Sequence, residues 1–293
     1  MDIAGLQAFI AVAEHRSFSA AAESLHLTQP AVSKRIAALE DMVRVRLFDR
    51  VGRRVLLTEA GAQLYPRARR IMSEVEDGRR ALSNLSGTVG GVLSLATSHH
   101  IGLHRMPPIL REFRVLYPHV RLDLRFMSSE DAYNAVVDGQ VELAVVTLSP
   151  APSAQIESVP LWNDELVVTA RGDEDGRQPD LQEIASRPAI LPGPETFTRQ
   201  IIDSTLAAEG ISPRVELSTN YLETIKMMVT VGLGWSVLPA GMLDAELTRI
   251  PFRGNPVYRP LGLVRHPART PSNAGRAMRE LLVRAGAAGT QRD

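Results

Sequence analysis

Apolar residues recur at helical spacing near the start of the chain. The pattern i, i+3, i+4, i+7 predicts an amphipathic first helix and is carried by Leu6, Phe9, Ile10 and Ala13. An alanine-rich stretch from Ser19 to Leu25 predicts a short second helix. Because alanine side chains are small, this second helix is expected to pack closely against its neighbours.

A third helix is predicted over residues 28–42. Thr28 can act as its N-cap, and Pro30 lies in the first turn, where a missing N–H costs nothing. Its buried face comprises Ala31, Val32, Ile36 and Leu39. The segment "RLFDRVGRRVLLT" follows, with Gly52 at a turn between two β-prone stretches. Three helices and a hairpin wing are therefore predicted for residues 1–58.

A longer helix is predicted from Thr58, as its N-cap, to about Leu85. Apolar or small residues separated alternately by four and three positions form a heptad seam: Leu64, Ala68, Ile71, Val75, Gly78, Leu82 and Leu85. A seam needs a partner helix, so every member except the glycine is predicted to form a dimer contact. The alternative is that the helix packs on its own domain. Gly78 and Pro66 lie inside the predicted helix and weaken it locally.

Strands and helices alternate after a glycine-rich hinge at residues 86–91. The strand patterns "VLSLATS", "VRLDLRFM" and "ELAVVTL" are separated by helical patterns. This order predicts a parallel α/β sheet with ligand crevices at the carboxyl ends of its strands. A second set follows "LWNDELVVTAR", and the final strand "PLGLVRHP" can return to the first set. Two lobes with a cleft between them and a two-strand hinge are expected.

Charge and composition narrow the class of protein. The 33 basic and 33 acidic residues give a formal net charge of zero, but residues 28–54 hold seven basic against three acidic side chains. The chain has no cysteine, which excludes disulfides, thiolate nucleophiles and cysteine-based zinc sites. With no secretory signal and no run of about 18 apolar residues, a cytoplasmic protein without membrane contact is expected.

The second and third predicted helices, joined by a very short turn, have the proportions of a helix-turn-helix, whose second helix enters the DNA major groove. Gln29 can bond base edges, and Pro30 offers an apolar surface to a thymine methyl. Further groups within reach of bases and phosphates are Ser33, Lys34 and Arg35. The arginine cluster of the hairpin supplies sequence-independent affinity. A solvated basic face is the alternative, but the cap, the proline and the alanine-packed helix together favour double-stranded DNA as partner.

The N-terminal 2–64 segment resembles the signature of the LysR-type transcriptional regulators, through "LQAFIAVAEHRSFSAAAESLHLTQPAVSKRIAALE" and "RLFDRVGRRVLLTEAG". The segment "VTVGLGWSVLP" is similar to that family's late glycine-rich motif. The resemblance implies a promoter-binding regulator that forms dimers or tetramers and can contact RNA polymerase. It implies base reading by Gln29, Pro30, Ser33 and Lys34, beside the capping Thr28, and wing-side DNA contacts by Arg50 and Arg53.

The resemblance also implies the domain layout. A winged helix-turn-helix would cover residues 1–58, and a linker helix with a hinge would cover 59–90. A periplasmic-binding-protein-like effector domain with Rossmann-like halves would follow. Its first subdomain would comprise residues 91–161 and 266–293, and its second would comprise 162–265.

Arg44 departs from the family pattern, which usually has glycine at this position. A glycine there ends the third helix in a left-handed conformation, which costs arginine about 1 kcal/mol or more. Either the turn differs, or Arg44 tolerates the strain and adds a phosphate contact. We favour the second interpretation.

A small polar, carboxylate-like effector is expected in the cleft, because loops with hydroxyls and unbonded backbone N–H groups gather there. The candidate effector residues are Thr97, Ser98, His99, His100, Ser128, Ser129, Thr147, Thr196 and Phe197. The alternative for Ser98, Ser128 and Thr196 is ordinary helix capping.

No metal, cofactor or catalytic site is predicted. His100 and His104 are four residues apart, but no cysteine or neighbouring acidic residue completes a zinc site. His99 and His100 are expected to be an exposed loop pair without function, and a pH-sensitive or anion-binding role is the alternative. The segment "GLGWS" matches no nucleotide-binding or nucleophile motif, and it predicts a tight connection from helix to strand. A solute-binding protein and an enzyme are the alternatives. The first would need a signal peptide, and the second a nucleophile, base and orienting group at a recognisable spacing.

Overall fold

The computed structural model describes residues 1–51, 54–151, 153–172, 180–251 and 256–289. The chain divides into two compact units, formed by residues 1–86 with 138–140 and by residues 87–137 with 141–293. Within the described ranges, no helix combines the length and the apolar character needed to cross a membrane.

The first unit contains three short helices, a hairpin and a long helix. They are α1 (Ile3–His15), α2 (Phe18–Ser24), α3 (Gln29–Val43), β1 (Phe48–Val51), β2 (Arg54–Leu57) and α4 (Glu59–Asn84). The helical pattern places Phe9, Val32 and Ile36 in one core, together with Ala21 and Ala22 of α2. The two strands pair antiparallel from Phe48 opposite Leu57 to Val51 opposite Arg54. The predicted winged helix-turn-helix is confirmed.

Thr58 and Thr28 occupy the predicted N-cap positions of α4 and α3, but only Thr58 makes a side-chain hydrogen bond there. Thr58 caps α4, since its hydroxyl accepts a hydrogen bond from the Gly61 N–H at 3.0 Å. Thr28 has the extended backbone of an N-cap, but its hydroxyl makes no capping hydrogen bond. The predicted N-cap position of Thr28 is therefore confirmed, although this exposed residue does not cap the helix with its side chain.

The heptad seam of α4 divides into two parts. Ala68 is fully buried and Leu64 is half-buried against the core of the same unit, as in the alternative considered for this helix. A fully buried side chain has no surface to offer a partner, so Ala68 drops out of the dimerisation set and Leu64 serves mainly its own core. By contrast, Leu82 and Leu85 are 72% and 83% exposed, and Ile71 is also exposed.

The second unit holds the remaining strands and helices. Its strands are β3 (Gly91–Thr97), β4 (Val120–Phe126), β5 (Leu143–Thr147), β6 (Glu157–Arg171), β7 (Ala189–Leu191), β8 (Val215–Ser218), β9 (Ser236–Pro239), β10 (Leu247–Arg249) and β11 (Val257–Arg265). Its helices are α5 (His99–His104), α6 (Met106–Leu116), α7 (Ser129–Val137), α8 (Leu181–Ala185), α9 (Phe197–Ala208), α10 (Leu222–Thr230) and α11 (Asn273–Gly289).

A mixed sheet runs through both lobes of this unit. Its order is β10-β6-β11-β5-β3-β4, and β9 also pairs with β6. Strands β3, β4 and β5 are parallel, as predicted, but β11 is antiparallel to β5 and to β6. The last strand returns from the second lobe, as predicted, and its antiparallel direction makes the sheet mixed.

Each lobe has its own core. The first lobe contains β3–β5, α5–α7 and α11, and the second contains β7–β10 and α8–α10. The first lobe packs β3, α6 and α11 around Leu95, Phe113 and Met278, whereas the second packs Ile184, Ile202 and Trp235. The glycine-rich segment is the predicted connection from α10 to β9, and Gly232 adopts a positive φ of 84° there. A residue with a side chain would be strained at this turn.

Candidate functional site

The outward face of α3 carries the polar groups that the sequence placed there. Gln29, Pro30 and Lys34 are exposed, Ser33 and Arg35 are half-buried, and the opposite face buries Val32, Ile36 and Leu39. The Gln29 side-chain amide donates a hydrogen bond to the Ser33 hydroxyl at 3.0 Å. This bond fixes two potential base-reading groups relative to each other. Arg53 lies outside the described residues, as does the side chain of Arg50.

A carboxylate fastens α3 to the wing. Oε1 of Glu40 accepts hydrogen bonds from the backbone N–H groups of Leu47 and Phe48, at 2.6 and 3.2 Å. The Thr58 hydroxyl donates to the Arg46 carbonyl at 2.8 Å, which holds the start of α4 on the same segment. Helix α3, the wing and α4 therefore form one rigid frame.

Between α3 and the wing, the backbone of Arg44 is left-handed, with φ 56° and ψ 28°. The turn is therefore the one that the family builds with glycine. Of the two explanations considered, a strained arginine is the correct one, and its phosphate contact stays a prediction.

A cavity of about 520 Å³ lies between the two lobes of the second unit. Seven of the nine predicted effector residues line it: Ser98, His99, His100, Ser128, Ser129, Thr147 and Thr196. The sequence missed several further lining residues, among them Phe126, Glu130, Asn220, Tyr221 and Arg259.

Two predicted effector residues face elsewhere. Thr97 is fully buried, and its hydroxyl donates to the Val145 carbonyl at 2.9 Å within the sheet. The ring of Phe197 packs edge-on against Tyr133, with 5.2 Å between ring centroids, and Phe197 does not line the cavity. The structure therefore does not bring these two residues into the cavity lining with the other candidates.

The capping alternative holds for two of the three hydroxyl residues. The Ser128 hydroxyl accepts from the Asp131 N–H at 3.0 Å, and the Thr196 hydroxyl accepts from the Arg199 N–H at 3.1 Å. Ser98 stands at the N-cap position of α5 without a side-chain capping bond. Its hydroxyl is therefore available to a ligand in the cavity.

Three helices of nine residues or more begin at the cavity. Residues at the starts of α7, α9 and α10 line it: Ser129, Thr196 and Leu222. The positive ends of their dipoles favour an anion there. A carboxylate of the chain already uses one of them, because Oε1 of Glu130 accepts from the Phe197 N–H of α9 at 2.6 Å.

A buried ion pair underlies the cavity. Arg259 on β11 is opposite Asp164 on β6, the two residues are 3% and 6% exposed, and Nη2 of Arg259 lies 2.7 Å from Oδ2 of Asp164. Arg105 donates to the other carboxylate oxygen at 2.8 Å. Burial tends to raise the pKa of Asp164, but the charges and hydrogen bonds of Arg259 and Arg105 outweigh it and hold this pKa below its usual range. Nε of Arg259 is buried without a hydrogen-bond partner among the described residues.

His100 and His104 lie on α5 instead of an exposed loop, and His100 is buried. Both rings meet Oε1 of Glu223, at 3.0 Å from Nδ1 of His100 and 3.1 Å from Nε2 of His104. The fold thus supplies the acidic neighbour that the local sequence lacks.

The protonation of this group follows from its surroundings. Burial and the charge of Arg259 lower the pKa of His100, against the opposing effect of Glu223 and Asp164. Burial tends to raise the pKa of Glu223, but its own backbone N–H and the two histidines outweigh it, so this pKa is also lowered. A neutral His100 beside an ionised Glu223 is the favoured state.

Two family models match the chain. One, described as a bacterial regulatory helix-turn-helix protein of the lysR family, matches residues 3–62. The other, described as a LysR substrate binding domain, matches residues 86–287. A probable RuBisCO transcriptional regulator of Cyanophora paradoxa is 33% identical over 290 residues, which covers 93% of this chain and 88% of the relative.

Solved structures share the fold. CbnR, described as a LysR family transcriptional regulator, superposes with a TM-score of 0.69 at 23% identity, over 98% of this chain and 99% of CbnR. The effector binding domain of QuiR in complex with shikimate gives a TM-score of 0.61 at 20% identity, over 68% of this chain and 98% of the QuiR domain. At these identities the likeness is one of fold.

Proposed function

The chain belongs to the LysR family of transcriptional regulators, and on that premise we propose which residues read DNA, which join two copies and which hold the effector. The family supplies the function of a DNA-binding regulator with an effector-binding domain. The contacts described above support particular residues for each part. Binding of the effector in the cleft is proposed to control sequence-specific binding to promoter DNA.

Base reading is proposed for the outward face of α3. Gln29 and Ser33, joined by their hydrogen bond, would present one amide and one hydroxyl to base edges, and Pro30 would contact a thymine methyl. Lys34 is proposed to read bases beside them, whereas Thr28 and Arg35 are proposed to hold phosphates together with Arg50 and Arg53 of the wing. The rigid frame made by Glu40 would keep reader and wing in register.

Gln29→Ala is expected to relax base preference, because the amide that discriminates between base edges is lost. One well-made base contact is worth about 1–3 kcal/mol of discrimination. The measurement is selection of binding sites from a randomised DNA pool. The control is Gln7→Ala, a substitution in α1 of the same unit, which should leave the selected consensus unchanged. An unchanged consensus for Gln29→Ala would remove Gln29 from the reading set.

Arg44→Gly is expected to raise the free energy of unfolding by about 1 kcal/mol, because glycine adopts the left-handed turn without strain. If Arg44 holds a phosphate, the same variant should reduce the salt dependence of DNA binding by about one unit of slope. Arg16→Gly is the matched control, since Arg16 ends α1 with φ 50°. Arg16→Gly should gain similar stability and leave the salt dependence of DNA binding unchanged. An equal slope in wild type and Arg44→Gly would contradict the phosphate contact.

Self-association is proposed through the exposed part of the α4 seam. Ile71, Leu82 and Leu85 are exposed apolar residues on one predicted stripe, with the half-buried Val75 between them. A second copy of α4 would cover them and bring two reading helices to neighbouring half-sites. Assembly to tetramers and contact with RNA polymerase belong to the same proposal, by family resemblance.

A small carboxylate is proposed as effector, and the observation that carries this proposal is the convergence of three helix N-termini on one cavity. The Arg259 guanidinium adds a buried positive group with an unpartnered Nε, and the Ser98 hydroxyl adds a donor. Because Glu130 already accepts from the N-terminus of α9, the N-termini of α7 and α10 are the ones proposed to face the ligand. QuiR, which shares this fold, is described in complex with shikimate, a small carboxylate.

The cleft is proposed to bind its ligand without transforming it, as expected of a regulator. A thermal-shift screen with small carboxylates tests the site, because a ligand that binds only the native state raises the unfolding temperature by mass action. A stabilising carboxylate whose effect disappears in Ser98→Ala or Arg259→Lys would support the assignment. Stabilisation by cationic compounds alone would contradict it.

A further inference from the structure

Three side chains with metal-ligating groups meet at the edge of the effector cavity, where α5 faces α10. They are His100, His104 and Glu223, and one ligand atom from each lies within 4.8 Å of the other two. Two histidines four residues apart on one helix present their rings on the same face. Glu223 comes from the first turn of α10, 119 positions after His104.

The distances suit a transition-metal ion. A tetrahedral site with metal–ligand bonds of about 2.0–2.1 Å separates neighbouring ligand atoms by roughly 3.3 Å. Oε1 of Glu223 lies 3.0 Å from Nδ1 of His100 and 3.1 Å from Nε2 of His104. Small rotations of the two rings would therefore make room for an ion between the three atoms.

Hydrogen bonding alone leaves part of the cluster unsatisfied. Oε1 of Glu223 accepts from both rings, whereas Oε2 is buried with no hydrogen-bond partner among the described residues. A buried carboxylate oxygen without a partner carries a desolvation cost. A cation bound at Oε1 would reduce that cost, because its positive charge stabilises the whole carboxylate.

We propose that this chain binds one divalent first-row transition-metal ion, of the Zn²⁺ or Co²⁺ class, through His100, His104 and Glu223. Two imidazoles and one carboxylate form a donor set typical of such ions and leave a fourth position open to water or ligand. His100 lines both the effector cavity and a neighbouring cavity that also contains His104, so the open position lies next to solvent-accessible space.

The surroundings orient the first ligand. Metal-binding histidines usually direct their second ring nitrogen at a carboxylate, which fixes the tautomer and the ring plane. Here Nε2 of His100 faces Oδ2 of Asp164 at 3.8 Å, and Asp164 is held in place by Arg105 and Arg259. At 3.8 Å this is a longer-range contact and not a hydrogen bond, so Asp164 is the nearby carboxylate that a small rotation of the His100 ring would bring into reach.

The same surroundings select against hard cations. The ligand set contains two imidazoles and a single carboxylate, and the nearby Asp164 is already paired with Arg105 and Arg259. Mg²⁺ and Ca²⁺ bind through several oxygens and gain little from imidazole. Zn²⁺ and Co²⁺ bind imidazole strongly, so they are the expected occupants.

A bound ion would join the two lobes. His100 and His104 belong to the first lobe and Glu223 to the second, so coordination would add a link across the cleft beside the effector cavity. Metal binding should therefore raise the unfolding temperature of the protein, because the native state alone holds the three ligands together.

The test is titration of the untagged, full-length protein with Co²⁺, followed by calorimetry and visible absorption. One ion per chain is expected, with an absorption band typical of imidazole-ligated Co²⁺. His104→Ala removes a half-exposed ring and should keep the fold, and Glu223→Gln keeps a hydrogen-bond acceptor for the rings. Each should weaken Co²⁺ affinity about tenfold or more. His119→Ala, an exposed histidine before β4, is the matched control and should bind as wild type does.

Mg²⁺ serves as the second control and should give neither heat nor a thermal shift. The proposal is overturned if wild type and His104→Ala bind Co²⁺ equally, if wild type binds none, or if His119→Ala loses the ion. It is also overturned if Glu223→Gln keeps wild-type affinity and absorption, because the ion would then bind the histidines without bridging the lobes.

Discussion

Arg259→Met is expected to lower the free energy of unfolding of the effector-binding unit by about 3 kcal/mol and to abolish carboxylate binding. The reason is the burial of its partner. Asp164 is 6% exposed and would keep only Arg105, whose side chain is one-third exposed, as its counter-ion. Removing one member of a buried ion pair leaves a charge that the interior cannot solvate. Chemical denaturation measures the first effect, and thermal shift with a bound carboxylate measures the second.

Arg259→Lys separates the two roles of this side chain. Lysine keeps the positive charge beside Asp164 but lacks the Nε–H that stands unpartnered near the cavity. Arg259→Lys should therefore be more stable than Arg259→Met, while its affinity for the carboxylate should still be lower than that of the wild type. Wild-type stability in Arg259→Met would show that Asp164 does not depend on this partner. Unchanged carboxylate binding in Arg259→Lys would place the effector elsewhere.

Gly61→Ala is expected to destabilise the DNA-binding unit by about 3 kcal/mol and to remove most specific DNA affinity. A Cβ at this position would lie 2.2 Å from the carbonyl oxygen of Leu47, a backbone atom that has no room to move within the frame fastened by Glu40 and Thr58. Helix α4 would have to shift away from the segment before β1, and overpacking of this kind costs about 1–3 kcal/mol. The DNA-reading face of α3 and the wing would then no longer be held in a fixed position relative to each other.

Gly78→Ala is the matched control in the same helix. A Cβ there meets nothing within 4 Å, so the variant removes only the conformational freedom of a mid-helix glycine. It should stabilise the protein by about 0.5–1 kcal/mol and keep DNA affinity. Thermal unfolding and fluorescence anisotropy on a bound promoter fragment compare the two variants. Equal stability of Gly61→Ala and wild type would refute the close contact at Leu47.

Local patterns were sufficient for the DNA-binding half of the molecule. The apolar spacing of α1 and α3, Pro30 in the first turn of α3 and Thr58 before α4 each act within a few residues, so the sequence shows them directly. The N-cap position of Thr28 was predicted, but the absence of a side-chain bond was not visible in the sequence, because the position and the bond are separate features. The burial of Ala68 in the core of its own unit was also not predicted, because a heptad pattern does not show which neighbour covers each residue.

The effector cleft was predictable mainly where its residues lie at the ends of strands. Ser98, Ser128 and Thr147 stand there and were predicted, whereas Arg259 in the cleft and Glu223 at its edge were not. Arg259 reaches the cleft because β11 crosses back beside β6, and its partner Asp164 is 95 positions away. No periodicity connects residues so far apart, so these pairings come from the tertiary fold alone.

Sequence-specific DNA binding controlled by a small carboxylate is tested most directly by footprinting on the promoter that flanks the gene for this chain, at physiological salt. The wild-type protein is expected to protect a discrete site there. A carboxylate that stabilises the protein should change the length or the hypersensitive bands of the footprint, and Gln29→Ala should require more protein for the same protection while keeping its fold. A folded wild-type protein that protects no site, with or without such a carboxylate, would contradict the proposed function.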